Sequence, residues 1–318
     1  MYSNLNPYVI NVYSQRPLWN AASFRGLHVR RTQEATTNAL FWTGTQFEPL
    51  PSLKATHLEG LTIVNNSTNP NTHIDVTPGY CVTTVGGRYA VQAVSSLTKN
   101  LEATWAPGNN NGGRFNSVSL TDSTYHFFLI FNPQTKAIDA GFDSAVSGTN
   151  IPTGWVGRRL GSIRRVSGAI ELFNQIGAYF QRKTVAVDLN SIAIPTTGAD
   201  YTLSIPVGKS MLAHGNFSPG ATAINEAMAL VVHSPNKTSF VPNSSPATAD
   251  FKGTSGSWLF YDTVVDYALV SPNTEVWVPT NGNAQAHFRR TGNYAADVNQ
   301  QSTFQTLGWY DLSLLEGL

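Results

Sequence analysis

The sequence predicts an all-β protein in which two antiparallel β-sandwich-like domains follow an extended N-terminal arm. Short runs of β-branched and aromatic residues recur from residue 53 onward, and turns rich in Gly, Pro, Asn and Ser separate them. Long stretches with a helical period do not occur, and strands at this spacing are typical of sandwiches and barrels. With 318 residues, of which 41% are hydrophobic and 12% charged, the chain can bury sizeable cores.

Residues 1–52 form the predicted docking arm. They are rich in aromatic and loop-forming residues and show no sustained helical or strand period. Such a segment cannot easily bury its aromatic side chains alone, so we expect it to lie against this chain's domains or a neighbouring subunit. A strand-forming extension of the first domain is the alternative. The candidate subunit contacts in the arm are Tyr2, Tyr8, Tyr13, Trp19, Phe24 and Trp42.

The first predicted domain spans residues 53–183. Its predicted strands include THIDVTPG, YCVTTV, RYAVQAV and YHFFLIFN, and Gly86-Gly87 predicts a two-residue hairpin turn between the second and third. One segment departs from the β pattern. Leu97, Leu101 and Trp105 recur at four-residue spacing, which predicts a short amphipathic helical turn before the loop PGNNNGG.

The second predicted domain spans residues 184–318, and the boundary is expected between Phe180 and Val187. Further strand-like runs separated by turn clusters support it. These runs are TVAVDLNS, DYTLSIPVG, MALVVHSP, SWLFYDTVVDYALV, EVWVPT, AQAHFRR and TFQTLGWYDL.

The stretch RRLGSIRR contains four arginines, Arg158, Arg159, Arg164 and Arg165. A net charge of +1 gives the chain no general positive field, and neither a helix nor an aromatic stacking platform accompanies the cluster. We therefore expect no nucleic-acid partner. Arg158 and Arg159 are candidates for a subunit interface.

The same stretch is expected to be a strand with a bulge. Strict alternation fails between Leu160 and Ile163, and a bulge at Gly161 would bring both to the core face. The arginines at the two strand ends are then expected to snorkel or to pair with acids such as Asp139, Asp143 or Glu171.

The sequence indicates no catalytic, cofactor or metal site. Asp262 and Asp266 lie four residues apart, as do Asp139 and Asp143. On a strand, residues at this spacing are roughly 13 Å apart, which is too far for the carboxylate pair of a retaining glycosidase. All four are therefore expected to be solvent-facing strand acids. The seven histidines form no metal-binding motif, and His126 is expected to be a hydrogen-bonded strand residue.

Three loops combine polar and aromatic residues: APGNNNGGRFNS, NSSPATADFKGTSGSW and TNGNAQAHF. Aromatic rings can stack on a sugar face while amides bond its hydroxyls, although such loops are also ordinary connections in a β protein. The candidate contacts to a glycan or receptor are Asn110, Asn111, Arg114, Phe115 and Trp258.

An ordered series of motifs resembles a module of tailed-bacteriophage tail and tail-fibre proteins. The series runs from LTKNLEATWAPGNNNGG through STYHFFLIFNPQTKAIDAGF and IPTGWVGRRLGSIRR to AIELFNQIGAYF. The terminal AQAHFRR and TFQTLGWYDL are similar to the closing strands often attached to that module. The first 52 residues, Leu160 where isoleucine is common, and the longer second block depart from the pattern.

The resemblance implies a virion structural protein, tail-associated, that acts in assembly and host attachment. Its expected partners are other virion proteins, further copies of itself with a trimer as first choice, and a host surface glycan or receptor. A capsid decoration protein is the alternative, and a tail-borne polysaccharide-degrading enzyme a second one. The single cysteine, Cys81, is expected to be a small core residue. Without a signal peptide or a spanning segment in the sequence, we expect synthesis in the host cytoplasm and no membrane insertion.

Overall fold

The computed structural model describes residues 57–192, 194–218, 227–236, 274–291 and 302–314, with short strands at 28–29, 40–42, 47–49, 220–221, 257–261 and 269–270. These residues form strands and a short 3-10 helix, Leu312–Leu314, which confirms the all-β prediction. In this described part of the chain, no helix is long and apolar enough to cross a membrane. The chain divides into two compact units, Met1–His57 and Leu58–Leu318.

The first unit contains a three-stranded antiparallel sheet formed by β1 (His28–Val29), β2 (Leu40–Trp42) and β3 (Phe47–Pro49). Strands therefore occur in a segment whose sequence shows no sustained strand period. The predicted docking contacts Tyr2, Tyr8, Tyr13, Trp19 and Phe24 lie outside the described residues, and Trp42 is described by its backbone alone. The docking role of this segment stays a prediction.

The largest sheet of the second unit has eight strands in the order β14-β13-β11-β12-β10-β9-β6-β5. The strands are β5 (Ile63–Asn65), β6 (His73–Val76), β9 (Leu97–Thr104), β10 (Asn111–Arg114), β11 (Thr124–Phe131), β12 (Ile138–Asp143), β13 (Val156–Val166) and β14 (Ala169–Ile170). All neighbours are antiparallel except β10, which runs parallel to both β9 and β12. The apolar β11 is buried along nearly its whole length, as expected for a strand covered on both faces.

Two further sheets come mainly from the second half of the chain. A five-stranded sheet has the order β15-β16-β25-β18-β23, and a four-stranded sheet has the order β17-β24-β20-β21. The first consists of β15 (Phe173–Ile176), β16 (Tyr179–Ile192), β25 (Ser302–Tyr310), β18 (Leu212–Ser218) and β23 (Thr274–Pro279). The second consists of β17 (Ala199–Thr202), β24 (Gln285–Thr291), β20 (Ala227–His233) and β21 (Ser257–Tyr261).

Small sheets complete the unit: β4 (Leu58–Gly60) with β7 (Gly79–Val82) and β8 (Ala90–Ala93), and β19 (Gly220–Ala221) with β22 (Leu269–Val270). The β7–β8 pair is the hairpin predicted around Gly86-Gly87. Its strand pairing stops at Val82 and Ala90, so the loop is longer than the two residues expected. Both glycines adopt positive φ, 75° and 149°, which residues with a side chain rarely do.

The helical turn predicted for residues 97–105 is wrong, because this segment is strand β9. The four-residue spacing of its apolar residues fits a strand as well as a helix, since residues two apart share one face of a sheet. Lys99 and Leu101 are both fully buried, so the alternation is present but a lysine occupies one of its core positions. A charged residue at that position concealed the strand period in the sequence.

One continuous hydrophobic core runs through the second unit. It joins Phe127 of β11 to Phe180, Phe288 and Trp309, which belong to the other two large sheets. Strand β16 also runs through the boundary expected near residue 184. The two-sandwich division is therefore not confirmed.

Candidate functional site

Strand β13 carries RRLGSIRR and contains the bulge that the sequence predicts. Gly161 pairs with Phe127, whereas Arg159 already pairs with Phe128, so the register slips by one residue between them. Leu160 and Ile163 are both fully buried, and the two residues between them are buried as well. A side chain at residue 161 would not fit, because an added Cβ would lie 2.6 Å from the ring of Phe180.

Arg159 forms a buried ion pair with Asp311. Its two terminal nitrogens donate to the two carboxylate oxygens at 2.6 and 2.8 Å, and its guanidinium also bonds Ser313. Burial alone would raise the pKa of Asp311, but the hydrogen bonds and charge of Arg159 lower it overall. This bidentate pair ties β13 to the segment that follows β25.

The same network extends to a histidine and a serine. Arg159 donates to Ser162 Oγ at 2.8 Å, and the same oxygen bonds His126 Nδ1 at 2.8 Å, which confirms His126 as a hydrogen-bonded strand residue. Burial and, secondarily, the charge of Arg159 lower the pKa of His126 to about 4. Ser162 and His126 are no more than 1% exposed, so the Ser–His contact stabilises the fold and offers no accessible nucleophile.

The remaining arginines of the motif also lie against the chain itself. Arg164 pairs with Glu171 at 3.3 Å, as predicted, and Arg165 pairs with Glu102 and Asp122. Arg158 and Arg159 are only 5% and 8% exposed. Within the described residues they lie inside the chain, and Asp311 supplies the partner of Arg159; a subunit contact through them stays a prediction.

Asp139 and Asp143 are fully buried, so the expectation that they face solvent is wrong. Asp139 pairs with Lys99 at 3.2 Å and accepts the backbone N–H groups of Ala140 and Gly108. Asp143 accepts three hydrogen bonds, from the backbone of Ala145 and from the backbone and side chain of Asn150. Each carboxylate is therefore satisfied by neighbours whose positions the sequence alone did not indicate.

The Lys99–Asp139 pair supports the loop in which glycan contacts were predicted. The Lys99 ammonium also donates to the carbonyls of Ala106 and Gly108, at 2.8 and 3.0 Å. Burial lowers the pKa of Lys99 and raises that of Asp139, and each is opposed by the partner's charge. The pair thus fixes the start of the loop from inside the protein.

The predicted glycan residues differ in accessibility. Asn110 and Asn111 are exposed and Arg114 is half-buried, whereas Trp258 lies in β21 and is described by its backbone alone. Phe115 is fully buried and packs edge-on against Trp105. A direct contact of Phe115 with a glycan is therefore contradicted, because its ring fills the core beneath the loop.

A different aromatic cluster lies on the five-stranded sheet, and we call Tyr179, His214, Trp277 and Tyr310, with Glu275, the aromatic face. Strand pairing brings these residues together: Tyr179 is opposite Tyr310, and His214 is opposite Trp277. The rings of His214 and Trp277 stack at 3.9 Å, and the centroids of Tyr179 and Tyr310 are 4.9 Å apart. Trp277 lies 5.8 Å from Tyr179 and 5.2 Å from Tyr310, so the four rings form one cluster.

Hydrogen bonds fix the aromatic face. His214 bonds the Tyr179 hydroxyl through Nδ1 at 2.6 Å and the Glu275 carboxylate through Nε2. Burial and, secondarily, the nearby Glu275 charge raise the pKa of Tyr179, so its hydroxyl keeps its proton. His214 therefore joins the Tyr179 hydroxyl to the Glu275 carboxylate, with Nε2–H as the donor to Glu275.

The end of β25 contributes to both the core and the aromatic face. Trp309 stacks on Phe180 in the core at 5.4 Å, Tyr310 joins the aromatic face, and the next residue is Asp311 of the ion pair. Gly308 leaves room for Tyr179, since an added Cβ would lie 2.9 Å from the Tyr179 hydroxyl. The terminal motif Gly-Trp-Tyr-Asp thus has a structural role at every position.

The sequence did not identify the aromatic face as a site. Its one local signal lies in EVWVPT, where Val276 and Val278 are buried while Glu275 and Trp277 are exposed. A tryptophan on the polar side of a strand was therefore visible. Its neighbours come from β16, β18 and β25, and only the strand order shows that they meet.

Among the other scattered histidines, the fold brings His233 and His287 together, with ring centroids 4.7 Å apart. His287 also bonds Asp200 through Nδ1 at 2.6 Å. Across the ranges for which side chains are described, no group of three His, Cys, Asp or Glu residues could hold a metal ion.

A scan against protein-family models found no match, and neither did a search of curated proteins. The resemblance to phage tail proteins therefore stays a prediction from the sequence.

Proposed function

We propose that this chain is a structural protein of a tailed-phage virion, associated with the tail, and that it acts in assembly and host attachment. Its partners would be other virion proteins and further copies of itself, with a trimer as the first choice. The all-β architecture supports this role but is shared by many functions. The choice of phage tail over other β proteins rests on the sequence resemblance.

The observation that carries the proposal is the contact between two separate motifs of that resemblance. RRLGSIRR and GWYDL are far apart in the sequence, yet Arg159 of the first motif pairs with Asp311 of the second, 152 residues away. Gly161 of the first motif leaves room for the Phe180 ring, on which Trp309 of the second motif stacks. Motifs that depend on each other in this way support a single module spanning most of the second unit.

Exposed apolar side chains on the five-stranded sheet support the assembly role. Ile176 of β15 is 67% exposed, and Val185 and Val187 of β16 are 46% and 52% exposed. Apolar side chains presented to solvent from adjacent strands are candidates for burial between subunits.

Particle purification tests the proposal. Particles produced from the genome that encodes the chain would be banded on a density gradient and probed with an antibody against residues 186–318. We expect the chain to band with infectious particles and to withstand a wash in 0.5 M salt. Recovery only from the soluble lysate, while a known coat protein bands normally, would refute a virion role.

A further inference from the structure

We propose that the aromatic face is a binding site for a neutral saccharide, in which Trp277 stacks on a sugar ring and Glu275 accepts hydrogen bonds from its hydroxyls. The inference deepens the proposed attachment function, on which it rests for its biological meaning. The predicted glycan loops lie elsewhere in the chain, and none of the aromatic-face residues belongs to them.

Trp277 provides the stacking surface. Its residue is 37% exposed, whereas most other large aromatic side chains described for this unit are buried in the core. His214 covers one side of the indole by stacking at 3.9 Å, and among the described strands β23 lies at the edge of its sheet. An exposed indole at a sheet edge leaves apolar ring surface to solvent, which suits the C–H face of a pyranose.

The surrounding contacts hold this surface in one arrangement. Tyr179 and Tyr310 flank the indole, and the Tyr179–His214–Glu275 hydrogen bonds fix the ring that lies against it. A surface that is already ordered loses little side-chain entropy when a ligand binds. A small entropy loss is important for saccharide binding, because each sugar ring makes few contacts with the protein.

Polar acceptors lie next to the rings. The Glu275 side chain is 62% exposed although one of its oxygens is engaged by His214. Gln181 is exposed and pairs with Gly308 on β25, and the half-buried Asn216 pairs with Glu275 on β23. Aromatic rings beside amides and a carboxylate are the groups that recognise a hydroxyl-rich ligand.

The charge of the face selects among saccharides. Glu275 is the exposed charged group of the cluster, and a sugar that carries a carboxylate or phosphate would be repelled by it. We therefore assign neutral hexose or N-acetylhexosamine residues as the ligand class. A single such site would bind weakly, with a Kd of about 1 mM, and repetition in an oligomer would supply avidity.

Saturation-transfer NMR and calorimetric titration of the full chain test the site. The probes are neutral oligosaccharides of glucose, galactose, mannose and N-acetylglucosamine, with a glucuronate-containing oligosaccharide for comparison. We expect at least one neutral probe to bind and the acidic one to bind at least tenfold more weakly. Trp277→Ala should weaken binding by about tenfold or more, and Trp277→Phe should retain part of it.

Tyr89→Ala is the matched control, because Tyr89 is 40% exposed but lies outside the aromatic face and contacts Phe131. It should leave saccharide binding unchanged. Thermal unfolding of each variant would show that the fold is retained.

Three results would overturn the inference. These are no binding of any neutral probe, equal binding by wild type and Trp277→Ala, or loss of self-association rather than saccharide binding in sedimentation of that variant. The proposed virion role is judged separately. Particles produced with the Trp277→Ala variant should still contain the chain. If the chain were absent from wild-type particles, the virion role would be refuted, whereas the saccharide titration would keep its own result.

Discussion

Replacing Asp311 with asparagine should destabilise the protein strongly. The substitution keeps the size of the side chain but removes the charge that faces Arg159. Asp311 is fully buried and the Arg159 side chain is only 10% exposed, so the guanidinium cannot turn to solvent for compensation. The substitution therefore leaves the buried positive charge of Arg159 without a negatively charged partner.

The expected loss in the free energy of unfolding is about 3 kcal/mol. Removing one member of a buried ion pair typically costs about 3–5 kcal/mol. The lower end applies because the amide oxygen of asparagine can still accept one of the two Arg159 hydrogen bonds. At about 2–4 °C per kcal/mol for a large domain, this corresponds to a decrease in Tm of roughly 10 °C.

Urea unfolding followed by tryptophan fluorescence, together with calorimetry, measures the effect. Asp122→Asn is the matched control, because the Asp122 side chain is 48% exposed where it pairs with Arg165. An exposed pair contributes less than about 1 kcal/mol. If Asp311→Asn proved no less stable than Asp122→Asn, the buried pair would not be holding β13 to the end of β25.

The ion pair also gives a pH dependence. The folded-state pKa of Asp311 is lowered below its ordinary 3.8, so the pair stabilises the protein fully above that pH. The stabilisation is lost as the pH falls below 3.8 and through the folded pKa. Wild type and Asp311→Asn should therefore converge in stability in acid.

Three further predictions follow from the core. His126 has a pKa of about 4 against an ordinary 6.5, so its contribution to stability is complete above pH 6.5 and declines by roughly 3 kcal/mol towards pH 4; urea unfolding should show a smaller decline for His126→Asn, and an equal one would contradict the assignment. Gly141→Ala should cost about 1–3 kcal/mol, because its Cβ would lie 2.3 Å from the Phe115 ring and 2.7 Å from the Gly113 carbonyl; Gly282→Ala, with nothing within 4 Å, should change stability by under about 0.5 kcal/mol, and comparable losses would refute the steric reasoning. Burial raises the pKa of the Cys81 thiol to about 12, so iodoacetamide at pH 8 should label the native chain at least about 100-fold more slowly than the unfolded chain, and similar rates would show that the thiol is accessible.

Local patterns predicted the features of the fold that depend on neighbouring residues. The continuous apolar run of β11 predicts a strand covered on both faces, and the bulge beside Gly161 follows from the failed alternation between Leu160 and Ile163. The hairpin around Gly86-Gly87 follows from turn chemistry, although not its loop length. The helical turn wrongly predicted for β9 also came from local pattern alone. The acid that allows Lys99 to be buried, Asp139, lies 40 positions away, so the local pattern could not reveal it.

The aromatic face could not be predicted because its members come from four strands distributed over more than 130 residues. Only the order β16-β25-β18-β23 brings Tyr179, Tyr310, His214 and Trp277 side by side. The ion pair between Arg159 and Asp311 is equally non-local. The sequence indicated that the arginines would find acids, and Glu171 was identified correctly because it lies seven residues from Arg164. Distant partners require the fold.

Immunogold electron microscopy of intact particles, with the antibody against residues 186–318, tests the tail-attachment role most directly. We predict label on the tail, with repeated grains per particle if the chain is an oligomer. Label over the head would contradict the tail role and identify a capsid decoration protein instead. Intact particles without label, in a preparation where the same antibody detects the purified chain, would contradict a place on the surface of the virion.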